Sequence, residues 1–435
     1  MFGHGLWPGW DGHGFLAAVV SSYRRLDLVS TEARGRRPGR LGTTGRSRVY
    51  HGGPVARILL CGDEFHASLA AVRGLHAGGH LPYFATCRPR TYASYSRCTA
   101  ATVDVPDPDF APAEYARAVW EAATSLGVDA ILPGTESALV VLSRHSAGAP
   151  PAVAVGAPPV DTVLKAVDKA AVVELAGRAG LQTPPTRTGT RDELLDDVAR
   201  FDFPVILKPL RSKLPTGDGT LRYFQAQRIE TPTQFERALA EAPAGPWAVQ
   251  PFLRASLNAI AGVAWGGSLV CTLQQVARRI WPPLAGFSSY AQTVPVDEAL
   301  EEAARSLVAQ FGWSGIFQIQ FMRAADGDYF IDFNPRVYGS LALAIAAGRN
   351  LPAIWADLLL GENPEVSTYR PDTRYRLEQN DVRAIWRLIS TGALGAGARA
   401  LVPHRKTAHA VFSLRDPGPL RTVAVKAGAR LRSTR

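Results

Sequence analysis

With 435 residues, 46% of them hydrophobic, the chain can bury two or three cores. No apolar run approaches the ~20 residues of a membrane span. The net charge of +10 is uneven: residues 1–54 carry eight Arg against three acids, and residues 383–435 carry eleven basic residues against one acid. The middle of the chain is therefore net acidic, which excludes a basic nucleic-acid-binding body. The basic ends read as solvated tails and leave room for a weak peripheral contact with an anionic membrane.

Cys61, Cys87, Cys98 and Cys271 show no CxxC or Cys/His spacing, so neither a disulfide framework nor a zinc site is expected, and a cytoplasmic setting fits. The run Phe15 to Val20 is short and has no basic residue before it, which makes it a poor signal peptide. Lysine is rare: Lys165, Lys169, Lys208, Lys213, Lys406 and Lys426 stand among 48 basic residues. Arg is this chain's default cation, so each Lys draws attention.

Residues 1–54 are rich in Gly and Arg without sustained periodicity, and read as disordered or as a mis-called start. Order begins at Val55. A buried strand over 56–62 precedes a helix over about 66–78, a strand over 80–86, a helix near 112–126 and a strand over 130–134. This alternation predicts an α/β domain with a parallel sheet. A helix over about 168–179 ends at Gly180, and Pro184-Pro185 closes that part. An α+β body follows. It has strands at 203–209, 221–229, 247–250 and 259–276, helices near 232–241 and 297–311, and two further helices within 341–360.

Residues 315–336 predict two apolar strands joined by an Asp326-Gly327 turn, with Gln320, Asp332, Asn334 and Arg336 as polar interruptions. Asp332, Asn334 and Arg336 share strand parity, and Gln320 can face Asp332 across the ladder. Three oxygen donors beside a guanidinium suit a hard cation holding a polyphosphate. Read alone, the same residues equally suit a hairpin whose polar groups satisfy backbone.

Lys208 ends a strand and is followed by a loop containing Ser212, Lys213, Gly217 and Gly219, a pattern that suits a phosphate clamp as well as an ordinary hairpin. Lys169 opens a helix, and reads either as an ordinary helix-start lysine or as a cation set against the dipole that needs an anionic partner. Arg278 and Arg279 precede Trp281-Pro282-Pro283. They read either as a solvated pair in a loop or as a guanidinium that orients a carboxylate. Glu136, at the end of a first-domain strand, is a lesser acceptor-site candidate.

Taken in order, Asp168-Lys169, Phe203 to Pro209, Val249-Gln250-Pro251-Phe252, and Gln320 with Ile331-Asp332-Phe333-Asn334-Pro335-Arg336 resemble the ATP-grasp superfamily. The spacing of Gln320 is similar to that in the carbamoyl-phosphate synthetase large subunit. The resemblance spans roughly 55–360. It implies a pre-ATP-grasp domain at 55–160, a two-lobed ATP-grasp domain at 161–365 and a basic C-terminal extension at 366–435. It also implies Lys169 and Lys208 as phosphate cations, Ser212, Gly217 and Gly219 in the closing loop, and Gln250 on the adenine side. Gln320, Asp332 and Asn334 would hold magnesium or manganese, and Arg336 would face the transferred phosphate.

Three departures stand out: Gln250 where Glu is usual, neutral Gln320 as first metal ligand, and Asp332 one methylene shorter than Glu. No acid stands at 255–260, where Asn258 is the substitute for a ribose-binding carboxylate. The expected activity is an ATP- and magnesium-dependent ligation of a carboxylate to an amine through an acyl phosphate, with Arg336 or Arg278 stabilising the tetrahedral stage. The rivals are a carbamoyl-phosphate-synthetase or carboxylase chemistry and a non-catalytic ATP-binding scaffold. Expected partners are small-molecule carboxylate and amine substrates and, as an option, a second copy in a homodimer, with no nucleic acid.

Overall fold

The computed structural model describes residues 55–88, 90–210, 213–215, 221–224, 226–243, 245–283, 286–402, 404 and 406–423. The expected extension over 1–54 lies outside them, as do Ser212, Gly217 and Gly219.

The first domain alternates strand and helix. It comprises β1 (Arg57–Cys61), α1 (His66–Ala77), β2 (Leu81–Thr86), β3 (Thr102–Asp104), α2 (Pro112–Leu126), β4 (Ala130–Pro133), α3 (Glu136–Arg144) and β5 (Ala154–Val155). The sheet order is β3-β2-β1-β4-β5, parallel throughout. Helices cover its faces, so β1 beyond Arg57 and all of β4 are buried and read as continuous apolar runs without alternation.

Two helices lead out of this domain, α4 (Val160–Val167) and α5 (Lys169–Arg178). Asp168 breaks the chain between them. Its carboxylate accepts from the N–H groups of Ala170 and Ala171 at 2.9 and 3.1 Å and starts α5.

The next lobe contains β6 (Arg187–Gly189), α6 (Arg191–Asp196), β7 (Val205–Pro209), β8 (Lys213–Pro215), β9 (Leu221–Tyr223), β10 (Gln227–Ile229), α7 (Pro232–Ala240) and β11 (Trp247–Pro251). Strands β10-β7-β11-β6 form an antiparallel sheet, and β8-β9 a separate hairpin. Leu194, Val205, Leu207, Phe235 and Trp247 pack into a core drawn only from residues 194–249. The lobe thus has an apolar interior of its own.

The larger lobe is built from β12 (Ser256–Trp265), β13 (Ser268–Trp281), β14 (Phe287–Val294), α8 (Glu298–Phe311), β15 (Gly315–Arg323), β16 (Asp328–Asn334), α9 (Leu341–Ala347), α10 (Leu351–Leu359), β17 (Arg374–Arg376), α11 (Glu378–Ser390), α12 (Leu394–Leu401) and β18 (Thr407–His409). Its seven-stranded sheet runs β16-β15-β12-β13-β14-β17-β18. Phe311, Phe317, Phe321, Phe330 and Phe333 fill one side together with Val172 and Ala176 of α5. On the other side Ile316, Tyr338 and Trp355 share a core with Ile58, Leu60 and Leu75 of the first domain. The larger lobe and first domain are therefore joined by a common apolar interior.

Residues 366–435 were expected to form an extension beyond this lobe. Within them β17 and β18 complete the seven-stranded sheet. Asp416 then ties the chain back to the first domain: its carboxylate accepts from Arg73 Nε at 2.9 Å, Ser96 Oγ at 2.7 Å and the Arg97 N–H at 2.9 Å. Among the described residues no helix is long and apolar enough to cross a membrane.

Candidate active site

The hairpin β15–β16 forms as its sequence predicts. The turn closes with the Ala324 N–H donating to Gly327 O at 2.9 Å, and Gly327 adopts φ +151°, which a side chain would resist. In the ladder Gln320 stands opposite Asp332, and Gln318 opposite Asn334. Directly opposed residues share a face, so these four polar side chains form a two-by-two patch. Phe333, between Asp332 and Asn334, turns to the other face and stacks on Phe311 at 5.1 Å, anchoring the strand.

Asn334 Nδ2 points at Gln318 Oε1, 3.4 Å away. This uses the amide's donor and leaves its carbonyl oxygen for other partners. Gln318 is a further member of the patch that the sequence motifs do not single out. Its signal was parity with Gln320 two residues on. Asp332 Oδ1 accepts from the Phe333 N–H at 3.1 Å, which fixes the carboxylate's rotamer.

A cavity of about 220 Å³ opens between the edge of this hairpin, α5 and the sheet of the smaller lobe. Its walls include Lys169, Lys208, Gln250, Asp332, Asn334 and Glu136. Five of the expected site residues therefore converge, together with the lesser candidate Glu136. Gln320 is not part of this wall, although it shares the face of Asp332. In the smaller lobe Lys208 pairs with Ala248, and Ala248 with Thr188, so the short Ala248 side chain leaves room beside the lysine.

Lys208 carries the largest electrostatic signature of the site. Burial pushes its amine down to about 8, the positive charge of Lys169 adds to the shift, and Asp332 opposes it. Two ammonium groups held near one carboxylate are short of negative charge, which a polyphosphate would supply. Gln250 is buried, and its Nε2 donates to Thr186 Oγ1 at 2.7 Å. Thr186 and Thr188, both in the cavity wall, gave no sequence signal beyond lying just after Pro184-Pro185.

Arg336 follows β16 in the loop to α9. One Nη1 donates to its neighbour's carbonyl, Val337 O, at 2.9 Å and lies 3.3 Å from Glu64 Oε1 in the loop after β1. The guanidinium thus sits where the larger lobe meets the carboxyl ends of the parallel strands. The segment after Arg336 is pinned at two points. Gln275 and Ser340 are hydrogen-bonded at 2.6 Å, and Tyr375 Oη donates to Gly339 O at 2.9 Å.

Arg278 and Arg279 lie on β13, not in a loop, at an irregularity in its pairing with β14. Arg278 is exposed and its Nε donates to Gln292 Oε1 at 3.0 Å; it is not part of the cavity wall. Arg279 grips buried Asp381 at 2.7 and 2.9 Å, Arg376 adds a third contact at 2.9 Å, and Arg279 stacks over Tyr290. That cluster fastens α11 to the sheet. Asn258 is buried and donates to Ser256 O and Oγ, away from the cavity wall.

The chain has the ATP-grasp fold. The family described as "ATP-grasp in the biosynthetic pathway with Ter operon" matches residues 246–382, the stretch that holds most of the larger lobe. Among solved structures the chain is similar to N5-carboxyaminoimidazole ribonucleotide synthetase in its ADP complex, with TM-score 0.58, 12% identity, and 78% of this chain and 85% of that one covered. It is also similar to L-amino acid ligase from Bacillus licheniformis, with TM-score 0.54, 14% identity and coverages of 74% and 79%. Biotin carboxylase from Campylobacter jejuni gives TM-score 0.54, 15% identity and coverages of 73% and 74%. No curated protein matches the chain in sequence.

Proposed function

We propose that the chain is an ATP- and magnesium-dependent ligase that joins a small-molecule carboxylate to an amine through an acyl phosphate. The observation that carries this reading is the convergence of Lys169, Lys208, Asp332 and Asn334 on one cavity, with the Lys208 amine pushed down to about 8 by burial and by the neighbouring Lys169 charge. Among solved relatives of the fold, the 2-oxoglutarate carboxylase domain was crystallised with MgADP and bicarbonate. The L-amino acid ligase, of the same fold, acts by its description on amino acids, which carry both a carboxylate and an amine.

The donor set fits a hard cation shared with phosphates. Asp332 offers a carboxylate, Asn334 a carbonyl freed by its bond to Gln318, and Gln320 a further carbonyl on the same face. With one carboxylate among them, these residues alone hold such an ion weakly, so the nucleotide's phosphates complete the shell. Magnesium or manganese, when bound, supplies charge neutralisation for in-line phosphoryl transfer.

In this reading Lys169 and Lys208 clamp the phosphates from two sides, and Gln250 with Thr186 lines the nucleotide end. The carboxylate substrate attacks the γ-phosphorus, the bond to ADP breaks, and an acyl phosphate forms. The amine then attacks the carbonyl carbon, phosphate leaves with the C–O bond, and the amine gives up a proton. We assign Arg336, at the junction with the first domain, to the oxyanion of that tetrahedral stage. Arg278 is directed at Gln292 and has no part in this assignment. Glu136 borders the cavity on the acceptor side.

The test is phosphate release with pooled carboxylates and amines. Release that requires both pools, and that Asp332→Ala abolishes, supports the ligase. Nucleotide binding without turnover favours a scaffold, and full activity in Asp332→Ala removes the metal assignment.

A further inference from the structure

The helical pair α11–α12 carries a basic and partly apolar surface. Between Asp381 and Asp416 there are six basic residues and no acid. Within that stretch Leu388 to Ala398 carries no charge at all. Helix α11 buries Asp381, Ala384 and Ile385 against the sheet, so its opposite side presents Arg383, Trp386, Arg387 and Ser390 to solvent. After the turn at Gly392, α12 returns along α11, and close packing of Gly397 on Ile389 binds the two into a hairpin.

The hairpin leaves large apolar side chains uncovered. Trp386 is 44% exposed, Leu394 63%, Leu401 48% and Val402 64%. Exposed apolar groups this concentrated usually mark an interaction surface. Arg383, Arg387, Arg399 and Lys406, all exposed, frame them; the two carboxylates of α11 stand in its first turn, Asp381 buried against Arg279 and Arg376 and Glu378 accepting from the Val411 and Phe412 N–H groups.

We propose that the α11–α12 hairpin docks on an anionic lipid surface. The uncharged tip around Leu394, with Trp386 beside it, enters the boundary between headgroups and acyl chains, where an indole suits both environments. Arg383, Arg387 and Arg399 lay their aliphatic stems on the same boundary and place their guanidinium groups at lipid phosphates. The charge selects the partner: a basic face without acids complements a phosphate-rich surface, and the apolar tip distinguishes a bilayer from a purely polar polyanion. This assignment does not depend on the chemistry of the nucleotide cavity.

The experiment is co-sedimentation of the full chain with phosphatidylcholine vesicles, with and without phosphatidylglycerol, at low and high salt. The protein should pellet with the anionic vesicles, far less with the neutral ones, and less as salt rises. Leu394→Asp and Arg387→Glu should each weaken pelleting by about tenfold or more, with unchanged thermal melting to show that both still fold. Equal binding to neutral and anionic vesicles, or unaltered binding by both variants, overturns the proposal. So does the absence of vesicle binding, whether the chain instead forms a dimer that Leu394→Asp dissociates or is retained by a soluble polyanion.

Discussion

Lys169, at the start of α5, and Lys208, near the end of β7, belong to different packing units but are close enough that the charge of one lowers the proton affinity of the other. Burial alone would depress Lys208; the neighbouring ammonium deepens the effect, and Asp332 only partly offsets it.

This sets a sign for the dependence of nucleotide binding on pH. Free Lys208 is protonated below about 8, and bound phosphates favour the protonated form. Affinity should therefore be flat at low pH and fall above about 8, approaching one order of magnitude per pH unit. Titration calorimetry in buffers of different ionisation enthalpy should show proton uptake on binding above pH 8. Lys208→Met should abolish both the uptake and the slope. For folding the sign is reversed: a depressed lysine makes the folded state more stable as pH rises from 8 toward the ordinary lysine value.

Asp332 and Gln320 face each other but should not weigh equally. Asp332→Asn removes the only charge of the patch and should cost about 10³-fold in turnover, with a melting temperature close to the parent's. Gln320→Ala removes a neutral donor outside the cavity wall and should cost far less. Steady-state phosphate release across a magnesium series separates them, because loss of the charged donor shifts the metal concentration needed for half-maximal rate far more than loss of the neutral one.

Adjacent arginines on β13 make opposite predictions. Asp381→Ala strands Arg279 and Arg376 beside each other without their carboxylate, and should destabilise the larger lobe by about 3–5 kcal/mol. Arg278→Ala removes one bond from an exposed guanidinium to the Gln292 amide and should change stability by no more than about 0.5 kcal/mol. Chemical denaturation of the two variants measures the contrast.

Trp247 is 1% exposed in the core confined to residues 194–249. Trp247→Ala should cost about 3–5 kcal/mol, and the loss should be local. Amide exchange is expected to accelerate across β7, β10 and β11 while β1 and β4 keep their protection. Uniform acceleration would show that the smaller lobe does not open on its own.

Much of the cavity proposed for the nucleotide could be read from local pattern. Gln320 opposite Asp332 follows from strand parity and one Asp-Gly turn, and Lys208 from a strand that ends in a lone lysine in an arginine-rich chain. Other features depend on distant partners. β17 and β18 are three residues each, too short for a periodic signal; β17 exists because β14 offers an edge to pair with, and β18 pairs in turn with β17. The strand character of Arg278 and Arg279 was hidden by two arginines and a Trp-Pro-Pro sequence, and is imposed by pairing with β14. The roles of Thr186 and Gln318 come from what lies across a sheet or cleft, which spacing along the chain does not encode.

The placement of the two apolar interiors divides the charges of the cleft between bodies. Val172 and Ala176 seat α5, and with it Lys169, on the larger lobe, whereas Lys208 is carried by the lobe whose core is its own. The unfavourable interaction of the two ammonium groups therefore lies across the joint between the two bodies. A polyanion bound between them would turn that repulsion into shared attraction across the joint.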